Sequence, residues 1–261
     1  MTFSAELTAA WQAGLSPQPA PQAADWLARA EAFYKQMLEA NQRLNLTRIT
    51  AADDFFLKHI WDSSTLLPFL PEVDPDSHPA AEVLDVGTGG GVPGLPLWLF
   101  RPDLRYTLMD SVGKKLRAVD GMANALQQHF GSAALPHLPE TLHTRAETAG
   151  QDKNYRERFD CVVTRAVGQL PILLEICLPL VKRGGRLIVM KGPQYESETI
   201  GMNQIAGLLG GRLGSIEHPQ LPGEQQRTLL VFEKRSLTPK TLPRGAGVPQ
   251  KQPLSELLCE S

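Results

Sequence analysis

The residues most able to do chemistry begin with Asp85-Val86-Gly87-Thr88-Gly89-Gly90-Gly91-Val92-Pro93-Gly94. An apolar run feeds a glycine turn, and Pro93 suits the first turn of a helix, where its missing N–H costs nothing. Backbone without side chains lets a nucleotide-type cofactor approach, and a helix N-terminus offers N–H groups to it. Within the turn, Gly89-x-Gly91-x-x-Gly94 matches the dinucleotide pattern G-x-G-x-x-G. Asp85 argues against that reading, because a pyrophosphate wants N–H groups and no carboxylate beside it. A cationic ligand without phosphate suits the carboxylate better. A bare structural turn would concentrate the conformational cost of glycine for no return. Asp110 ends the next strand, and an acidic residue there can accept from both ribose hydroxyls of an adenosyl group. His59 and Asp62 stand at i and i+3, so a helix would turn them to one face. Arg165, in Thr164-Arg165-Ala166-Val167, stands at the end of a later strand where substrates of such sheets bind.

The spacing Asp85-x-Gly87-x-Gly89-x-Gly91 resembles the first motif of methyltransferases that use S-adenosylmethionine (SAM). The strand end at Thr164 then separates methyl-transfer chemistries. Exocyclic amine methylation in the well-known nucleic-acid enzymes uses an [Asp/Asn]-Pro-Pro-[Tyr/Phe] element at this place, and Thr164-Arg165-Ala166-Val167 is not one. Carbon-5 methylation of a pyrimidine needs a thiolate, but neither Cys161 nor Cys177 follows a proline, and Cys161 reads as a buried strand residue. Attack by a group that is already nucleophilic remains open. Guanine N7 is such a group, for its lone pair carries no proton and needs positioning rather than a base.

These residues must be held by strands and helices in alternation. Strands are expected at Val83–Val86, Arg105–Asp110, Leu142–Arg145, Phe159–Thr164 and Arg186–Lys191, the last following a Gly184-Gly185 turn. Helices are expected at Pro93–Phe100, Lys114–Phe130, Leu170–Leu180 and Glu196–Leu209. Arg212–Glu217 and Thr228–Glu233, with no helix between them, read as an antiparallel hairpin at the end of the sheet. The fold class is therefore α/β, a Rossmann-like methyltransferase fold with a mostly parallel seven-stranded sheet and N-terminal helices. Upstream, a short helix over Ala5–Ala13 meets a proline-rich stretch beginning at Gly14. Asp25 reads as the N-cap of a helix whose Trp26, Ala30, Phe33 and Met37 share a face. A further helix is expected from about Ala51 to Phe69. The organisation is a flexible segment over 1–24, a helical segment over 25–79, the cofactor domain over 80–235, and a basic, proline-rich tail over 236–261. A boundary is expected between Pro68 and Pro79. The tail reads either as a solvated extension or as a basic arm on an RNA backbone.

The 261 residues carry a net charge of −2, with 42% hydrophobic and 21% charged, so any nucleic-acid role must rest on local patches. Three cysteines without C-x-x-C spacing, no signal pattern and no membrane-length apolar run lead us to expect a cytoplasmic protein without metal. Two other functions compete. An oxidoreductase using NAD would want a Tyr-x-x-x-Lys dyad, and Tyr34, Tyr106, Tyr155 and Tyr195 lack the lysine. A non-catalytic RNA-binding module would leave the cofactor turn without a purpose.

Taken together, the motifs resemble the small-subunit ribosomal RNA methyltransferase G family, also called glucose-inhibited division protein B. The matching runs are Asn45-Leu46-Thr47, Lys58-His59-Ile60-Trp61-Asp62-Ser63, Leu84 through Leu97, Asp110-Ser111-Val112-Gly113-Lys114-Lys115, Arg145-Ala146-Glu147, Thr164-Arg165-Ala166, Lys191-Gly192 and Leu242-Pro243-Arg244. Mild departures are Ser64 for the usual Leu, Ala118-Val119 for Phe-Leu, and Thr164 and Gly168 for Ser and Ala. The resemblance implies SAM-dependent methylation of N7 of one guanine, in the 527 loop of bacterial 16S rRNA, by an enzyme expected to be a monomer. The partner is 16S rRNA or the small ribosomal subunit. It also implies SAM contacts at Gly87, Val92, Asp110, Ser111, Val112, Ala146, Glu147 and Arg165, and leaves Arg165 and His59 as candidates for a catalytic part. Lys58-His59 and Lys114-Lys115 become candidates for phosphate contact or site architecture.

Overall fold

A computed structural model describes residues 2–14, 20–72, 80–165, 168–223 and 225–259. The expected proline-rich stretch falls largely on residues outside these, as do the end of the 68–79 linker and the pair Ala166-Val167. Seven strands form one sheet in the order β3-β2-β1-β4-β5-β7-β6. They are β1 Glu82–Val86, β2 Arg105–Asp110, β3 Glu140–His143, β4 Phe159–Thr164, β5 Val181–Lys191, β6 Gly211–Glu217 and β7 Thr228–Lys234. β1 to β5 pair in parallel, and β7 pairs antiparallel with both β5 and β6. The expected terminal hairpin is therefore present, with β7 inserted beside β5 and β6 at the edge. The central strands β1 and β4 are buried almost throughout, as strands covered by helices on both faces must be. Chain order reverses between β1 and β4, which opens a crevice at their C-terminal ends.

Before the sheet come α1 Ala5–Gly14, α2 Ala20–Asn41, α3 Ala52–Phe55, a π-helical turn Phe56–Trp61, and α4 Asp62–Ser64. α2 starts before Asp25, so that residue is not a cap. Its carboxylate instead reaches Arg29 one turn on, at 2.6 Å. Within residues 2–14 the chain is packed. Phe3 and Trp11 are buried, Trp11 packs edge-on against Phe56, and its indole N–H donates to Ser64 Oγ at 3.0 Å. The helices before residue 70 share one apolar cluster with the sheet. Trp26, Phe33, Met37 and Phe55 pack with Val83, Trp98 and Leu108.

Within the sheet domain, α5 Gly94–Phe100 is buried on every side, as its all-apolar sequence requires. α6 Gly113–Phe130, α7 Ala146–Gln151, α8 Leu170–Cys177 and α9 Met202–Leu208 follow the sequence pattern with small shifts. Gly184-Gly185 is not a turn before β5. It lies inside that strand, with Gly184 at φ +88° and a break in the β4–β5 register. β3 ends two residues earlier than its apolar run suggests. The expected helix over 196–209 splits into a short 3-10 turn, a left-handed Gly201 and α9. The tail carries α10 Val248–Lys251 and α11 Leu254–Cys259 and folds back on α8 rather than extending away. No helix among the described residues is long and apolar enough to cross a membrane.

Candidate active site and cofactor pocket

The glycine turn owes its shape to left-handed backbone at Gly87 (φ +75°), Gly89 (+58°) and Gly91 (+90°). Most of its amides are already engaged. Gly87 and Thr88 N–H both donate to the Met109 carbonyl at 2.9 and 3.0 Å, and Gly91 and Val92 to the Thr88 carbonyl at 2.9 and 3.1 Å. Gly89 donates to Asp110 Oδ2 at 2.9 Å, and Gly94 to Asp85 Oδ2 at 3.0 Å. The expectation of free N–H groups at this helix start is thus corrected, and the dinucleotide reading loses its anion cradle. Gly94 serves packing, for a Cβ there would collide with the Leu108 side chain and reach Asp85 Oδ2 at 2.8 Å.

Asp85 is fully buried, and its Oδ1 has no hydrogen-bond partner among the described residues. Burial pushes its carboxyl up to about 6, against the pull of the Thr88 hydroxyl and the Gly94 amide. A buried carboxyl with an unanswered oxygen favours a cationic neighbour and repels phosphate.

Beside the turn is a cavity of about 180 Å³ at the C-terminal ends of β1 and β2. Gly87, Asp110, Ser111, Ala146 and Glu147 line it, as the resemblance implies, together with Met109, Thr144, Arg145, Ile176 and Gln250. Asp110 is held rigidly, with Oδ2 on Gly89 N–H and Oδ1 on Val112 N–H at 2.8 Å. Each oxygen keeps a further lone pair for a ligand hydroxyl. Val92 and Val112 do not line this cavity. Val92 is buried in the core, and Val112 contributes its amide to the Asp110 carboxylate.

Arg165 does not line it either; it crosses to the N-terminal helices. Its Nη1 donates to the Lys58 carbonyl at 2.8 Å and to Asp62 Oδ2 at 3.3 Å. Asp62, 1% exposed, also takes Arg227 side-on, at 2.6 Å from Nε and 2.8 Å from Nη2. His59 is nearby and buried. Its Nδ1 faces the Lys58 carbonyl at 3.1 Å and the Arg165 guanidinium at 3.4 Å, and its Nε2 faces Thr47 Oγ1 at 2.9 Å. Desolvation first, then the Arg165 charge, lowers the ring to about 4. His59 and Asp62 therefore meet through Arg165 rather than directly. Asn41 shapes the adjoining loop, its side chain bonding the Leu46 and Thr47 amides and the Thr47 carbonyl at 2.8 to 3.0 Å. Arg227 gave no signal in the sequence, where it is one arginine before the last strand.

On the far side of this cluster a larger cavity, about 790 Å³, opens between the ends of β5 and β7. Arg227, Tyr195 and His218 line it, the two rings with centroids 6.0 Å apart. At the end of β5, Lys191 reaches back to the Gly168 carbonyl and to Glu198, whose carboxylate also takes the Leu170 amide at 2.6 Å. The loop after β4 is thus tethered from the neighbouring strand.

The model of the rRNA small subunit methyltransferase G family matches residues 27–225. The chain belongs to that family. A ribosomal RNA small subunit methyltransferase G from Lactobacillus johnsonii is 41% identical over 225 residues, covering 85% of this chain and 89% of that protein. One from Pelotomaculum thermopropionicum is 40% identical, covering 86% and 89%. A third, from Staphylococcus carnosus, is 38% identical with the same coverage of both chains. The chain is accordingly a methyltransferase of small-subunit ribosomal RNA, and S-adenosylmethionine is its methyl donor. The residues present fit that donor: a carboxylate for ribose hydroxyls, an orphaned Asp85 oxygen suited to a cation, and no free amide cradle for phosphate.

Proposed function

We propose that the enzyme methylates N7 of a guanine in 16S rRNA, with the cofactor's adenosyl end in the cavity beside Asp110. The observation that carries this reading is that neither His59 nor the buried Cys161 and Cys177 is available at the crevice as a base or a thiolate. Both ring nitrogens of His59 are engaged and the ring is buried. Cys161 is fully buried and its thiol is pushed up to about 12, chiefly by desolvation. Cys177 is likewise buried and raised. A target whose lone pair is already free needs neither group.

SAM supplies an electrophilic methyl on a sulfonium. The chain's own residues bind, orient and exclude water. Gly87 gives the ligand close approach to the backbone, and Asp110 receives the ribose hydroxyls. Asp62 offsets the charges of Arg165 and Arg227, so a purine that gains positive charge on methylation does not meet two uncompensated guanidiniums. The cavity beyond Arg227 has the equipment for a splayed nucleotide: two rings for stacking and a guanidinium for phosphate. Of the two parts expected for Lys58, its carbonyl takes Arg165 in the site, while its ammonium pairs with Asp54 at 2.5 Å on the surface.

Transfer of labelled methyl from SAM to small subunits, followed by nucleoside analysis, tests the chemistry. The label should elute as 7-methylguanosine. Label in a methylated adenosine or cytidine would refute the reading. Gly87→Val should abolish binding of S-adenosylhomocysteine, because a branched side chain at φ +75° is strained and enters the ligand's space.

A further inference from the structure

The C-terminal tail is built to reach the cofactor cavity. Past β7, the Lys234 ammonium is buried and donates to the Leu178 and Leu209 carbonyls at 2.9 and 3.0 Å. Arg156 then gathers the returning chain, donating to the carbonyls of Gly150, Thr238, Pro239 and Leu242 at 2.6 to 3.1 Å. Arg244 locks onto Glu175, a fully buried carboxylate, through its own amide (3.0 Å), Nε (2.8 Å) and Nη2 (2.6 Å). Gly247, at φ +81°, turns the chain and donates its N–H to Glu147 Oε1 at 2.9 Å. Three residues later, Gln250 lines the cavity opposite Gly87, Asp110 and Ala146.

This wiring changes the part Glu147 plays. Its carboxylate is 3% exposed and takes up the tail amide, so it anchors the wall more than it meets a ligand. Among the lining side chains, Ser111 and Thr144 carry single hydroxyls, and Gln250 alone carries a neutral donor and acceptor on separate atoms. Arg145 only donates, Asp110 is reserved for hydroxyls, and Met109, Ala146 and Ile176 are apolar. Gln250 is exposed and makes no hydrogen bond among the described residues. A glutamine carboxamide offers one carbonyl acceptor and one amide donor side by side. Adenine presents the complement, an N6 amine beside a ring nitrogen, and pairs with such an amide through two bonds.

We infer that Gln250 is a cofactor-binding residue that reads the adenine edge of SAM, and that the tail from Lys234 to Gln250 is the mount that holds it there. The inference rests on the cavity being the cofactor's site. The family model stops at residue 225, while Leu242-Pro243-Arg244 of the mount is one of the runs that carry the family resemblance.

Calorimetric titration with S-adenosylhomocysteine and with its 6-oxo (inosine) counterpart tests this on the full chain. Gln250→Ala should weaken S-adenosylhomocysteine about five- to tenfold, the loss of one or two ordinary hydrogen bonds. It should leave the unfolding temperature unchanged, since the side chain is exposed. The wild type should reject the 6-oxo compound, whose oxygen faces the carboxamide oxygen, by more than about tenfold. Gln250→Ala should lose most of that discrimination, which a purely structural part for the tail would not alter. If Gln250→Ala binds both compounds as the wild type does while Gly87→Val binds neither, the inference fails and the cavity keeps its assignment. If Gly87→Val binds S-adenosylhomocysteine normally, the cavity assignment fails and takes the inference with it.

Discussion

Asp62→Asn is the substitution that asks most of the proposed crevice. The carboxylate is 1% exposed and balances two guanidiniums, Arg227 side-on and Arg165 at 3.3 Å. A charge pair at about 4 Å and an effective dielectric near 20 is worth roughly 4 kcal/mol. Water reclaims part of that, because the arginines keep 22% and 20% of their side-chain exposure. Asparagine keeps the shape and one acceptor, yet leaves two cations facing one another. We expect a loss of about 3 kcal/mol in unfolding free energy, in the range for breaking one side of a buried ion pair. In urea this is a midpoint shift on the order of 1 M with unchanged slope. Adding Arg227→Met to Asp62→Asn should return part of the loss, and the double-mutant cycle should give a coupling of about 2 kcal/mol. Methyl transfer should fall as well, because Arg165 loses the partner that orients it. A stability change under about 0.5 kcal/mol, or a coupling near zero, would show that the cluster is not held by charge compensation.

The His59 ring gives a pH prediction. Its folded value, about 4, lies below the ordinary 6.5, so only the unfolded chain takes up the proton between those limits, and stability falls as pH drops through that window. The whole span is worth about 3 kcal/mol. Asp85 acts in the opposite sense, because its folded carboxyl, at about 6, is protonated before the unfolded one at 3.8. His59→Gln should therefore close its gap to the wild type as pH is lowered from 7 to 4 in denaturant titrations; parallel curves would contradict the assignment. Gly94→Ala should lower thermal stability by several kcal/mol, as overpacking against Leu108 and Asp85 requires, and a neutral result would reopen the pyrophosphate reading. Arg244→Ala strands the buried Glu175 carboxylate. We expect a loss of about 3 kcal/mol and rapid proteolysis after β7, and a resistant tail would overturn the docking described above.

The sheet and its crevice were legible because local signals agree with the fold. Val83-Leu84 and Val86 make an apolar run, broken only by Asp85, that suits a strand covered on both faces, and the glycines at 87, 89 and 91 need left-handed backbone. The chain's ends were harder to read. Phe3 and Trp11 occur in a short, weakly patterned stretch, and only the cluster formed with Phe56 and Phe100 explains their burial. The tail's basic residues and prolines pattern like a solvated arm, because nothing local reveals that Lys234 and Arg244 answer buried partners far away in sequence. The pairing of Asp62 with Arg227 spans 165 residues and has no periodic trace. Arg165 stands just past the end of β4, as its place in the sequence implies, but its partners come from a helix that spacing alone could not place above it.

Gln250 is held in place by two contacts far apart in sequence, the Arg244–Glu175 clasp and the Gly247–Glu147 bond. The wall it forms is therefore no sturdier than those clasps, and loosening either one opens the cavity on the tail side without touching the glycine turn.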